Sequence, residues 1–88
     1  MRLPLTIEIL RRGNWYVART PELDFISQGR THDEAKTNLL EVMKIQIAEM
    51  KEMGTLEEYL VECGFGLSAS DNIQYPEFVG FEKAVVTV

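Results

Sequence analysis

The stretch from Pro21 to Asn38, Pro-Glu-Leu-Asp-Phe-Ile-Ser-Gln-Gly-Arg-Thr-His-Asp-Glu-Ala-Lys-Thr-Asn, constrains the fold more than any other part of the chain. It predicts a short strand that passes through a glycine turn directly into a capped helix. Residues 24–28 alternate polar and apolar around Phe25 and Ile26, which suits a strand. Gly29 is expected at a turn position, where a positive φ costs glycine little. Thr31 stands three residues before Glu34, the spacing of a capping box. In that motif the hydroxyl accepts from the Glu34 N–H and the carboxylate reaches back to the Thr31 N–H. Asp33 and Glu34 also place negative charge at the positive end of the helix dipole.

Upstream, residues 3–11 read as a first strand, with Leu5, Ile7 and Ile9 on one face and Thr6, Glu8 and Leu10 on the other. Arg11-Arg12-Gly13-Asn14 makes a polar turn, and residues 15–19 return as a second strand, giving a hairpin signal. Trp15, Val17 and Arg19 share one face of it; Tyr16 and Ala18 share the other. Thr20-Pro21-Glu22 ends that strand, because proline has no N–H for the ladder. The simplest arrangement of the three strands is an antiparallel meander.

Downstream, the main helix is predicted over His32–Met53. Ala35, Leu39, Val42, Met43, Met50 and Met53 fall in one stripe at 3.6-residue spacing. Gln46 interrupts the stripe, Leu40 and Ile47 widen it, and Ile45 lies away from it and is expected to be exposed. Gly54 has the residue type of a helix C′ position. Thr55 and Glu58 repeat the capping-box spacing and open a short helix over residues 55–63, with Leu56, Tyr59, Leu60 and Cys63 on one face. Residues 67–80 read as a loop holding a short strand at 72–75. Residues 81–88 read as a final strand, which has to pair with an edge of its own sheet or of a second chain. The expected fold class is α+β in the order β-β-β-α-α-β: an antiparallel sheet, comprising a three-strand meander plus a C-terminal strand, packed against one long helix, with a second short helix. One domain is expected over residues 1–88.

Composition narrows the function classes. The chain is 45% hydrophobic and 26% charged, an ordinary globular balance. A domain this small buries only a modest part of its surface, and its helix is more apolar than one sheet contact requires, so a homodimer is expected. The net charge of −5 disfavours direct binding to a nucleic-acid backbone and suits a basic partner. Cys63 is the only cysteine, which excludes an intrachain disulfide and a Cys-based zinc site. No apolar run has the length of a signal peptide or a membrane span, so a cytoplasmic setting without membrane attachment is expected.

The order Pro21-x-Leu23, Gly29-x-Thr31, Glu34-Ala35 and Asn38, preceded by Trp15-Tyr16-Val17-Ala18, resembles the HicB-type antitoxin family over residues 3–50. Two departures stand out. Many members carry Pro-Gly-Cys after the leucine, where this chain has Asp24-Phe25. Many also carry a DNA-binding region after the core, and nothing basic enough for that follows Met53. The resemblance implies a partial ribonuclease H-like core. It also implies a protein that blocks a small basic RNA-cleaving toxin of the HicA type by covering its RNA-binding face and catalytic histidine. Arg30, Glu34, Ile45 and Gln46 are the candidate partner-contacting residues. The alternative is a dimeric scaffold of the same fold, or a small-ligand module with a methionine-lined pocket, acting without a toxin.

A ribonuclease H likeness raises the question of a two-metal carboxylate site. Glu8, Asp24 and Glu34 are the only candidates, and Glu34 is already accounted for by capping and Glu8 by an exposed strand face. His32 reads as a solvated first-turn residue without a nucleophile beside it, and Cys63 as a small apolar residue. Met43, Met50 and Met53 read as core, and Glu49, Glu57, Glu58 and Glu62 as solvated helix surface. Arg11, Arg12 and Arg30 do not make a basic patch, and Gly13 and Gly29 lack phosphate-loop spacing. No catalytic residue, metal or cofactor is expected.

Overall fold

The computed structural model describes residues 2–67 and 73–88. Strands β1 (Glu8–Arg12), β2 (Trp15–Thr20) and β3 (Phe25–Gly29) form an antiparallel sheet in the order β1-β2-β3. Arg12 pairs with Trp15, so only Gly13 and Asn14 close the first hairpin. Gly13 takes a φ of 59°, which matches the twist that a two-residue hairpin turn needs. Between β2 and β3 the Leu23 N–H donates to the Thr20 carbonyl at 3.3 Å, and Asp24 follows with a φ of 58°. Aspartate is one of the few residue types that enters this left-handed region readily. The turn drives Leu23 to full burial.

The first strand starts later than its alternation predicts. Residues 3–7 carry the strand pattern but have no partner strand, and a ladder needs one. They are tied down by a side chain instead. The Glu22 carboxylate accepts from the Thr6 N–H at 2.9 and 3.1 Å, and from the Thr20 hydroxyl at 3.3 Å. Leu5 and Ile7 still pack on the core, on the face their spacing assigns.

Helix α1 (His32–Met53) covers one face of this sheet. Thr31 is its N-cap and accepts from the Glu34 N–H at 3.0 Å. The return bond differs from a full capping box: the Glu34 carboxylate accepts from the Arg30 N–H at 3.2 Å, one residue earlier than Thr31. Gly29 also serves a different purpose from the expected one. It ends β3 without a positive φ, and a Cβ there would lie 2.6 Å from the Ala35 backbone nitrogen. Close approach of strand to helix, not turn geometry, requires glycine. Asn38 adds a link at the same junction by donating to the Gln28 carbonyl at 2.9 Å.

The α1 stripe supplies the first core cluster: Ala35, Leu39 and Met43 against Ala18, with Ile7, Ile9 and Tyr16 around them. Leu39 is fully buried, and truncation of such a leucine costs about 2–5 kcal/mol. Met50 is only half-buried and Met53 is exposed, so the stripe stops being core in its last turns. Gly54 ends the helix in the left-handed conformation, with its N–H on the Lys51 carbonyl and the Thr55 N–H on the Met50 carbonyl at 2.9 Å. This is a Schellman motif.

That motif also overturns the second predicted capping box. Thr55 is held by the end of α1, and its hydroxyl points back to the Met50 carbonyl at 3.5 Å. It makes no side-chain cap on helix α2 (Leu56–Glu62). A second Schellman motif ends α2, where Gly64 has a φ of 97° and the Phe65 N–H donates to the Leu60 carbonyl at 2.8 Å. Leu60 and Phe65 join Leu23 in a second core cluster, flanked by Leu56, Tyr59 and Cys63. Leu5 and Phe25 touch both clusters, and the Phe25 and Tyr59 rings stack at 6.1 Å.

Beyond α2, β4 (Gly66–Leu67) and β5 (Ile73–Gln74) form a short antiparallel pair. This is the strand expected at 72–75, although Asn72 lies outside the described residues. The expected final strand at 81–88 is not formed. Its apolar residues stand in solvent, Val85 fully so. Strand propensity without an adjacent edge gives no ladder. The observed architecture is therefore α+β: a three-strand antiparallel meander followed by a long helix and a short helix.

Candidate partner-binding surfaces

The helix covers one face of the sheet, and the other face is open. The register sets Leu10 opposite Val17, Arg12 opposite Trp15, and Arg19 between Glu8 and Ile26. These residues share the side facing away from α1. Leu10 is 54% exposed, Trp15 39% and Ile26 59%. Three large apolar side chains on one small sheet face are more than scattered surface residues. The face is framed by charge: the Arg19 Nε donates to the Glu8 carboxylate at 2.8 Å, and the Arg30 guanidinium lies 4.4 Å from the centre of the Trp15 ring. The latter is a cation–π contact between the two side chains.

A second surface lies at the opposite end of α1. Glu49 and Glu52 on α1, and Glu57, Glu58 and Glu62 on α2, are all exposed. Lys51 is the only cation in this stretch. Met53 and Val61 are exposed among these carboxylates. Ile45, Glu49 and Met53 follow one another at four-residue spacing, so one helix face runs from Ile45 into this acidic end.

The four candidate contact residues separate into two pairs. Arg30 and Glu34 sit at the strand-to-helix junction, where the Arg30 side chain lies over Trp15 and its N–H donates to the Glu34 carboxylate. Ile45 and Gln46 are exposed about 16 Å further along the α1 axis, from a rise of ~1.5 Å per residue. Ile45 is 59% exposed, as its place off the stripe indicates. Gln46 breaks the apolar stripe because it faces solvent.

The remaining chemistry-bearing residues have ordinary roles. Glu8 holds Arg19, the Glu34 carboxylate accepts from the Arg30 N–H, and Asp24 occupies an exposed turn. Among the described residues no group of three or more His, Cys, Asp or Glu could hold a metal ion. His32 is exposed, with Nδ1 3.3 Å from Asp33. Among the described residues Tyr59 is the one titratable group well displaced from its usual range. Burial, reinforced by the adjacent Cys63 thiol and by Asp24 and Glu62, pushes its phenol up to about 12. Its hydroxyl donates to the Leu23 carbonyl and clips α2 to the β2–β3 turn.

A cleft of about 370 Å³ opens between residues 4–6 and 75–78, lined by Leu5, Thr6, Glu22, Tyr75 and Phe78 among others. None of the methionines lines it. Two organising residues have no signal in the sequence: Glu22, which anchors residues 3–7, and Tyr59, whose partner Leu23 is a backbone carbonyl in a distant turn. No described helix is long and apolar enough to cross a membrane. Comparison with known proteins finds no matching family model, no matching curated protein and no matching solved structure.

Proposed function

We propose that this chain is a HicB-type antitoxin module, a cytoplasmic binding protein that neutralises a small basic RNA-cleaving toxin by covering its RNA-binding and catalytic face. The observation that carries the reading is the work done by the motif residues in the β2–β3 turn and at the β3–α1 junction. Leu23 is buried, Gly29 lets the helix approach, Thr31 caps it, Ala35 packs beneath, and Asn38 ties back to Gln28. The pattern is therefore more than generic helix capping. The acidic end formed by α1 and α2 supplies the second support. Five exposed carboxylates around Met53 and Val61 suit a basic partner that also offers apolar contacts. The module acts as a mask and needs no catalytic residues of its own.

Co-purification with the neighbouring gene product, followed by an RNA-cleavage assay, tests this. Recovery of a stoichiometric small basic protein, whose ribonuclease activity emerges only when this chain is removed, is the expected result. A chain that purifies without a partner and releases no ribonuclease on denaturation overturns it. The alternative, a dimeric scaffold or small-ligand module of the same fold with no toxin, calls for a methionine-lined pocket, and the cleft beside Thr6 and Phe78 has no methionine in its lining.

A further inference from the structure

We infer that residues 81–88 are an exchange strand, which pairs with the free β1 edge of a second copy of this chain while that copy returns its own segment. The inference does not depend on what the module binds. The segment is Phe-Glu-Lys-Ala-Val-Val-Thr-Val, rich in the β-branched residues that strands favour. Apart from the Phe81 ring stacked on Phe78 at 5.6 Å, it stands in solvent: Phe81 and Val86 are 76% exposed and Val85 is 100% exposed. The chain is elongated accordingly. Its radius of gyration is 15.4 Å, against roughly 12 Å for a compact domain of this length, and its longest axis is 45 Å against 29 and 22 Å. An apolar, strand-forming segment held away from its own body is a donor in search of an edge.

The same chain supplies the edge. The sheet has two, β1 and β3. On β3 the Gln28 carbonyl is already occupied by Asn38, and α1 leaves directly from its end. On β1 no other strand is paired beyond β2 among the described residues. Residues 75–78 line a cleft with residues 4–6 and Glu22, so the donor segment leaves from the end of the sheet at which β1 begins. One antiparallel register sets Glu82 opposite Arg12 and keeps Val85 on the core side. Ala84 then faces Leu10, Val85 faces Ile9, and Val86 faces Glu8. Lys83 faces Arg11, whose guanidinium is drawn to the Gly13 carbonyl at 3.2 Å. Val85 would extend the core beside Ile9, and Ala84 would continue the open face beside Leu10. Reciprocal exchange makes a closed two-fold dimer.

The test is mass by light scattering, together with amide hydrogen exchange, on the full chain and on Val86→Pro and Val85→Asp. Proline removes a ladder N–H and aspartate puts a charge on the core side. Val85 is fully and Val86 largely exposed, so the helical circular dichroism signal of α1 and α2 should be unchanged while the strand contribution falls. The expected result is a dimer at micromolar concentration, with slowed exchange of the outward β1 amides. Both variants should be monomers in which that exchange accelerates tenfold or more. A wild-type monomer at high micromolar concentration overturns the inference. So does a dimer that survives both substitutions, or a dimer whose β1 amides exchange as fast as those of the variants.

Discussion

Gly29 and Ala35 meet at a distance that leaves no room for a side chain: a Cβ on Gly29 would lie 2.6 Å from the Ala35 nitrogen and 2.9 Å from the Glu34 backbone carbon. The obstacle is backbone, so no rotamer change relieves it. Gly29→Ala must push α1 off the sheet and is expected to cost about 1–3 kcal/mol, the range of overpacked cores. Urea unfolding measures this. A midpoint unchanged from wild type would show that the junction is looser than its geometry.

The Tyr59 clip gives a prediction with a pH signature. Tyr59→Phe keeps the ring stacked on Phe25 but removes the hydroxyl bond to Leu23, at a cost of about 1 kcal/mol. The folded state holds the phenolic proton up to about 12, while the unfolded chain releases it near 10.0. The folded state thus binds the extra proton, and stability falls as pH rises between those values. Below pH 10.0 the contribution is intact. Denaturant titrations across this alkaline range should show the slope in wild type and a shallower one in Tyr59→Phe.

Glu22 is expected to act as a local anchor. Glu22→Ala removes the acceptor of Thr6 and Thr20, and bonds of this kind to a charged group are worth about 1.5–3 kcal/mol. Glu22→Gln keeps one acceptor oxygen and should lose less. Amide exchange at Thr6 should accelerate in the order wild type, Gln, Ala, with the β2–β3 amides changed far less.

The acidic end of the molecule should matter for binding and little for folding. Glu57→Lys, Glu58→Lys and Glu62→Lys alter exposed positions, where substitutions change stability by about 0.5 kcal/mol or less each. If this end receives a basic partner, the triple variant should associate at least tenfold more slowly at low salt, with the difference shrinking as salt rises. Stopped-flow association with the co-purified partner reads this directly, and equal rates would move the contact to the Leu10–Trp15–Ile26 face.

Much of the fold is legible in the sequence where chemistry marks an end. Thr31 and Gly54 delimit α1 because an N-cap and a left-handed C′ residue each answer to a local backbone need. The start of β1 is not legible, because alternation tells which side chains face the core and not whether another strand runs alongside. Leu5 and Ile7 show the difference: right face, no ladder. Residues 81–88 show the same limit at the other end. Gly29 is legible as a requirement and not as a reason, since close packing and positive φ select the same residue. For the candidate surfaces, the exposure of Ile45 follows from helical periodicity. The placing of Arg30 over Trp15 needs the tertiary meeting of a hairpin with a helix entry, which no local pattern encodes.

The large elements follow one another along the chain and pack on one another in that order, β1 on β2, β2 on β3, and β3 on α1. A ribosome making this protein therefore completes the meander and its helix before residues 81–88 leave the exit tunnel. Local contacts of this kind form quickly. The adhesive segment appears only after the helix has covered one face of its own sheet, so synthesis itself imposes a sequence of events. An early, half-built chain never offers its sticky end to its neighbours on the same message.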